Sequence, residues 1–194
     1  MLYKAKTKII FDNTWINKLK FKPHTDYDLA GNVDAIAVKS ESGSVFDFYK
    51  SKEIEEPSDF KYTKLYESIE EVRKLTDFFE LEQTRIRIHR QKPKHIIPPH
   101  TDDNNINVKQ LEDIRLRIIT ALNDCDDFTY IFNGKRFSLQ KGESVVFEPD
   151  KISHGIENNS DSVSRYALVQ IVKVYPFSNW FKDFVYKENT VDLT

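Results

Sequence analysis

Phe128-Thr-Tyr-Ile-Phe-Asn-Gly-Lys-Arg-Phe-Ser-Leu-Gln-Lys-Gly-Glu-Ser-Val-Val-Phe147 is the stretch whose reading decides the fold class. Phe128–Phe132 is apolar and aromatic, Asn133-Gly134 follows, and Arg136–Leu139 returns. Asn-Gly supplies the positive φ angles that a tight two-residue hairpin needs. Lys141-Gly142 then turns the chain into another short run, Ser144–Phe147. Working outward, a period of two also governs Thr84–Arg90, where Ile86 and Ile88 alternate with Arg85, Arg87 and His89. Arg115–Leu122 and the long Val163–Val174 are further strand candidates. Many short strands separated by turns predict a sandwich or barrel, so the expected class is mainly β with flanking helices.

The first eighty residues have a different texture. Ala35–Val38 and Val45–Tyr49 read as short strands. In Lys64–Glu80 the residues Leu65, Ile69, Val72, Leu75, Phe78 and Phe79 recur at three- and four-residue steps, the pattern of an amphipathic helix that packs across a sheet. Asn179–Lys187 reads as a short closing helix, and Tyr175, Phe177, Trp180, Phe181 and Phe184 as an aromatic cap on the barrel end or the wall of a substrate pocket. The expected organisation is one domain over 1–194: a helix and strand cover in 1–80, a β core in 84–174 and a closing segment in 175–194.

Composition narrows the class. With 39% hydrophobic and 13% aromatic residues the chain suits a compact globule. Lys and Arg number 29 against 31 Asp and Glu, a net of −2, which argues against a dedicated nucleic-acid binder. Cys125 is the single cysteine, so no intrachain disulfide and no thiolate-built zinc site can form. Met1–Trp15 lacks the apolar run of a signal peptide, and no stretch approaches the roughly 20 apolar residues of a membrane span. A cytoplasmic setting is expected.

His100-Thr101-Asp102 follows Pro98-Pro99 in an expected loop. In an extended segment residues i and i+2 point to one side, so the His100 imidazole and Asp102 carboxylate can converge; that spacing favours Asp102 over the adjacent Asp103. A third ligand must come from elsewhere in the sheet, and His154 lies about fifty residues on, after the strand Ser144–Phe147 and a turn at Pro149-Asp150. Two imidazoles and a carboxylate leave open coordination positions, the arrangement of non-haem ferrous iron. Arg165, separated from His154 by ten residues, shares a strand face with Ala167 and Val169, where a buried guanidinium needs an anion such as a dicarboxylate. Its ordinary alternative is a salt bridge to Glu157 or Asp161. His24-Thr25-Asp26 repeats the triplet without a matching His and Arg, and reads as a polar loop. His89 and His95 read as ordinary exposed histidines or as contacts near the site.

The order His-x-Asp, about fifty residues, His, ten residues, Arg resembles the iron- and 2-oxoglutarate-dependent dioxygenases of the double-stranded β-helix, the cupin-like jelly roll. Within them it is most similar to the aspartyl/asparaginyl β-hydroxylase-like group, which includes bacterial hydroxylases of free proline. The supporting text is Arg115-Leu-Arg-Ile-Ile-Thr-Ala-Leu122, Lys141-Gly-Glu-Ser-Val-Val-Phe147, His154-Gly-Ile-Glu-Asn158 and Arg165-Tyr-Ala-Leu168, across roughly Thr84–Val174. Vertebrate-type members carry Gly where this chain has Asp102, and the gap from His100 to Arg115 is longer here. The resemblance implies Fe(II) on His100, Asp102 and His154, with 2-oxoglutarate held by Arg165 and oxygen as the other co-substrate. It points Arg115 and Arg117 inward, towards co-substrate or substrate carboxylate; a solvated face, with Leu116 and Ile118 as the core side, is the other reading. The implied activity is hydroxylation of an amino acid or of a protein or peptide side chain, yielding succinate and CO2. Two other functions remain open: the same chemistry on another small metabolite or a nucleobase, and a non-catalytic cupin-like binding module.

Overall fold

A computed structural model describes residues 2–6, 10–24, 33–48, 56–102, 114–124, 126–174 and 191–192. Its strands are β1 (Leu2–Lys6), β2 (Lys22–Pro23), β3 (Val33–Ser40), β4 (Lys61–Tyr62), β5 (Gln83–Gln91), β6 (His95–His100), β7 (Ile114–Ala121), β8 (Phe128–Phe132), β9 (Lys135–Phe137), β10 (Glu143–Phe147), β11 (His154–Asn158), β12 (Arg165–Val174) and β13 (Val191–Asp192). Two helices, α1 (Lys64–Ser68) and α2 (Glu70–Asp77), lie between β4 and β5.

Among the described residues the strands form two antiparallel sheets. The larger runs β13-β1-β10-β7-β12-β5-β3-β2, with β4 on β3; the smaller runs β6-β11-β8-β9. From β5 to β12 the chain alternates between them: β5 large, β6 small, β7 large, the β8–β9 hairpin small, β10 large, β11 small, β12 large. This alternation is the double-stranded β-helix, or jelly roll. Asn133 at φ 46° and Gly134 at φ 79° make the hairpin turn that joins β8 to β9.

The large sheet is covered on both faces. Towards the small sheet, Ile119, Ala121, Val145, Phe147 and Ala167 meet Tyr130, Phe132, Leu139, Ile152 and Ile156. On the other side, Ile36, Val38, Ile86, Ile88 and Leu168 pack against Trp15, Ile16, Leu65, Val72 and Leu75. β5 therefore turns its isoleucines to the helices and its polar residues into the barrel. Alternation here separates two buried environments rather than core from solvent. The same holds for β7, where Leu116 and Ile118 pack with Phe79, Val146 and Val172 on the helix side.

Three local expectations change. Lys64–Glu80 is two helices, because Ile69 is extended (φ −122°, ψ 109°). The break leaves Ile69 in contact with the same cluster as Leu65, Val72 and Leu75. Val45 and Phe46 form a turn, with one bond from the Ala37 amide to the Val45 carbonyl, and Phe46 and Phe48 pack on Ala35 and Ala37. Pro98 and Pro99 belong to β6, an edge strand, where a missing N–H is tolerated. The expected closing helix 179–187 and the aromatic cluster around it lie outside the described residues. No helix among the described residues is long and apolar enough to cross a membrane.

At Gly155, β11 lies too close to β6 to admit a side chain. A Cβ there would lie 2.8 Å from both the Ile97 carbonyl oxygen and the Pro99 nitrogen. The pairing register also shifts between His154 and Ile156, and this irregularity sets His154 opposite His100. Gly155→Ala must push the two backbones apart. It is expected to lower stability by about 1–3 kcal/mol in chemical denaturation, and an unchanged midpoint would show that the strands can separate freely.

Candidate metal centre

His100 ends β6, His154 begins β11, and the two face each other as a cross-strand pair with ring centroids 4.5 Å apart. Asp102, two residues past His100, is pinned by its amide, which donates to the Pro149 carbonyl at 3.0 Å. Its Oδ1 lies 3.8 Å from His100 Nε2 and 3.7 Å from His154 Nε2. One ligand-type atom from each of the three residues falls within 4.8 Å of the others.

The tautomers are set by carbonyls, which only accept. His100 Nδ1 sits 2.8 Å from the Pro98 oxygen and His154 Nδ1 2.9 Å from the Ile152 oxygen, so each Nδ1 carries the hydrogen. Each Nε2 therefore turns a lone pair towards Asp102, the state and orientation that metal-ligating histidines need. Phe147 and Phe132 wall His154, with centroids 4.8 and 6.2 Å away. Burial first, and then Arg117, lower His154 to about 4, so it is neutral near pH 7. Burial pushes the Asp102 carboxyl up, but Arg117, His154, Arg115 and His100 together outweigh it and hold the group below its ordinary 3.8. Two imidazoles with their Nδ1 hydrogens taken by carbonyls, beside a carboxylate held ionised, are a donor set suited to a divalent metal.

Of the two β7 arginines, Arg117 reaches the cluster. Its Nη1 donates to His154 Nε2 at 3.0 Å and its Nη2 to Asp102 Oδ2. Both point away from the helix side that Leu116 and Ile118 occupy, which rules out the solvated face for Arg117; its side chain is 12% exposed. Arg115 is close enough for its charge to act on Asp102, but does not line the cavity beside the triad.

That cavity is also lined by Arg165, Ile119, Val169 and His89. Arg165 is 2% exposed. Its Nε donates to the Tyr130 hydroxyl at 3.0 Å, its guanidinium lies 4.8 Å over the Tyr130 ring, and its Nη2 has no hydrogen-bond partner among the described residues. The acids weighed as its salt-bridge partners are engaged elsewhere: Glu157 with Arg136, and Asp161 with Lys94 at 2.8 Å. A buried guanidinium with an unmet donor is prepared for an oxyanion.

The first His-Thr-Asp triplet is not a solvated loop at His24, which is 2% exposed. Thr25 and Asp26 lie outside the described residues. His95 Nδ1 turns to the Pro93 oxygen at 2.6 Å, and His95 is not among the cavity residues. Sequence reasoning passed over Tyr130, which gives no local signal, and underrated His89. The signal for His89 was the polar stripe Arg85, Arg87, His89.

A family model described as aspartyl/asparaginyl β-hydroxylase matches residues 23–173. No curated protein matches the sequence. A 2OG-Fe(II) oxygenase family oxidoreductase from Burkholderia pseudomallei is 13% identical, with 82% of this chain and 76% of that one covered and a TM-score of 0.47. A predicted oxalate decarboxylase from Thermotoga maritima is 16% identical over 47% of this chain and 68% of that one, with a TM-score of 0.36. A cupin domain of an XRE family transcriptional regulator from Enterobacter cloacae is 16% identical over 47% and 81%, with a TM-score of 0.35.

Burial and nearby arginines hold two further histidines neutral: His24, lowered to about 3, and His89, well below 6.5. In the unfolded chain each takes a proton near 6.5. Their contribution to stability is therefore complete above about pH 6.5 and is lost as the pH falls towards the folded values, by up to ~1.4 kcal/mol per pH unit for each. Denaturation midpoints should fall between about pH 7 and pH 5, less steeply in His24→Phe. A level profile in the unmodified chain would contradict the buried neutral pair.

Proposed function

This chain belongs to the aspartyl/asparaginyl β-hydroxylase family and is a hydroxylating oxygenase, and from that premise we propose that it works with Fe(II) and 2-oxoglutarate at the cluster on β6 and β11. The observation that carries the reading is the pair of Nε2 lone pairs converging with the Asp102 carboxylate, in one cavity with a buried arginine that still has a donor to give. His100, Asp102 and His154 would hold the iron. Bound there with 2-oxoglutarate and O2, iron supplies the oxidising power that puts one oxygen atom into a C–H bond while 2-oxoglutarate becomes succinate and CO2.

The chain's own residues do the positioning. Arg165 holds the distal carboxylate of 2-oxoglutarate in the fixed fork of a planar guanidinium, itself steadied by Tyr130. Arg117, beside the triad, meets the carboxylate at the metal end, and Arg115 adds positive charge behind it. Phe132, Phe147 and Ile119 shield the His154 side of the centre from water, which strengthens the electrostatic contacts there. The substrate in this reading is a free amino acid or an Asp, Asn or Pro side chain in a protein or peptide. The reading treats 1–194 as one oxygenase domain, with 1–80 as cover around the core of 84–174 and 175–194 as its closing segment. Pairing of β3 with β5 and of β1 with β10 supports it.

Succinate release, measured with Fe(II), 2-oxoglutarate and a panel of amino acids and peptides, tests the proposal. Asp102→Ala or His154→Ala is expected to lose at least ~100-fold in turnover. Arg165→Ala should raise the 2-oxoglutarate requirement by ~10-fold or more and leave iron affinity intact. Full activity in Asp102→Ala would refute the triad, and release triggered only by other metabolites or oligonucleotides would refute the substrate class.

A further inference from the structure

His89 and His24 have no part in the reading above, yet both are buried, His89 lining the cavity and His24 packed against the His89 ring. β5 pairs with β12 so that Gln91 stands opposite Arg165, His89 opposite Ala167 and Arg87 opposite Val169. β7 pairs with β12 on its other side, with Ala121 opposite Ala167 and Ile119 opposite Val169. A molecule held by Arg165 at one end and the triad at the other thus runs along the inner face of β12. It passes Val169, which lines the cavity with Arg165, and His89, one strand away on β5, is the polar group on that wall.

The His89 ring is backed by a built wall. His24 meets it edge-on, with centroids 5.4 Å apart at 73°, and stacks on Phe48 at 5.2 Å. Arg87 Nη1 donates to His24 Nε2 at 2.8 Å, and Arg87 Nη2 donates to the Phe48 carbonyl at 2.9 Å. The His24 amide donates to the Val33 carbonyl at 2.9 Å, tying the segment to β3. Arginine, histidine and phenylalanine brace one another, so the ring of His89 meets a fixed surface from behind. A neutral imidazole there offers one N–H to an oxygen without adding to the positive charge of Arg117 and Arg165.

We infer that His89 is a further contact for the 2-oxoglutarate lying between Arg165 and the triad, and that His24 and Arg87 are positioning residues that fix its ring. The inference rests on the proposed iron and 2-oxoglutarate chemistry. It gives the first His-Thr-Asp triplet a role other than metal binding: its histidine braces the wall opposite the ligands of the second.

Anaerobic titration of the Fe(II)-loaded full chain with 2-oxoglutarate, read by the visible charge-transfer band, tests it alongside a separate measurement of iron affinity. His89→Phe is expected to weaken 2-oxoglutarate by ~10-fold or more with iron affinity unchanged, and His89→Gln, which keeps a neutral donor, to recover most of the loss. His24→Phe should shift 2-oxoglutarate affinity in the same direction by a smaller factor, which a merely structural residue would not do. If His89→Phe does not fold, His89→Ala against His89→Gln makes the same comparison. Wild-type affinity in the His89 variants, with Arg165→Ala weakened, overturns the inference and leaves the proposed function standing. Equal losses of iron and 2-oxoglutarate also overturn it, because His89 would then act through the fold. If the unmodified chain binds neither, the proposed function itself fails.

Discussion

The contact between β6 and β11 at Gly155 governs the rest of the site. Their backbones meet where a Cβ would lie 2.8 Å from the Ile97 carbonyl, and the pairing shifts register one step away. That shift brings His154 level with His100, and Asp102 follows His100 by two residues. Backbone carbonyls then settle the chemistry: Pro98 and Ile152 each take an Nδ1 hydrogen, leaving both Nε2 atoms as acceptors. His100 and His154 themselves stand on paired strands, which places their rings more exactly than loops would, while the turn before β11 supplies the Ile152 carbonyl.

A jelly roll that buries both faces of its larger sheet can use one of them for charge. The helices satisfy the hydrophobic demand of Ile86, Ile88, Leu116 and Ile118, so Arg87, His89 and Arg117 are free to point into the barrel. Buried guanidinium groups are expensive unless met by hydrogen bonds or anions. Tyr130 takes one Arg165 donor, Asp102 and His154 take two from Arg117, and His24 and Phe48 take two from Arg87. The histidines stay neutral first because burial strips water from the charged form, and then because further positive charge in this field is unfavourable; His154 sits at about 4 and His24 at about 3. An interior with this sign selects anionic ligands before any shape is considered.

Much of this was legible in the sequence. Asn133-Gly134 announced its hairpin, the short strands announced a sandwich or barrel that the family resemblance narrowed to a jelly roll, and His100, Asp102, His154 and Arg165 stood out by spacing and now line or adjoin one cavity. The illegible parts share a cause, since each depends on what lies across from a residue and not beside it. Period two in β5 and β7 shows that two faces differ, but cannot say that the polar one is enclosed. Pro98-Pro99 reads as a loop until β6 is known to be an edge strand. The break at Ile69 follows from packing, because the periodicity of Lys64–Glu80 runs through it unchanged.

The two His-Thr-Asp triplets show the same limit most clearly. Identical in sequence, they differ in partner: His100 faces His154 across a strand pair, whereas His24 accepts a hydrogen bond from Arg87 and stacks on Phe48. A histidine whose Nε2 is taken by a guanidinium braced against a backbone carbonyl has no lone pair left for a metal. One whose Nδ1 hydrogen is taken by a carbonyl has its Nε2 lone pair directed outward, ready to ligate. Arg117 also reaches His154 Nε2, but from the open end of a side chain held by Asp102, a carboxylate that a divalent cation would itself attract. What separates a ligand from a brace is therefore the second nitrogen of the ring and how firmly its partner is held. Both are properties of the folded neighbourhood rather than of the tripeptide.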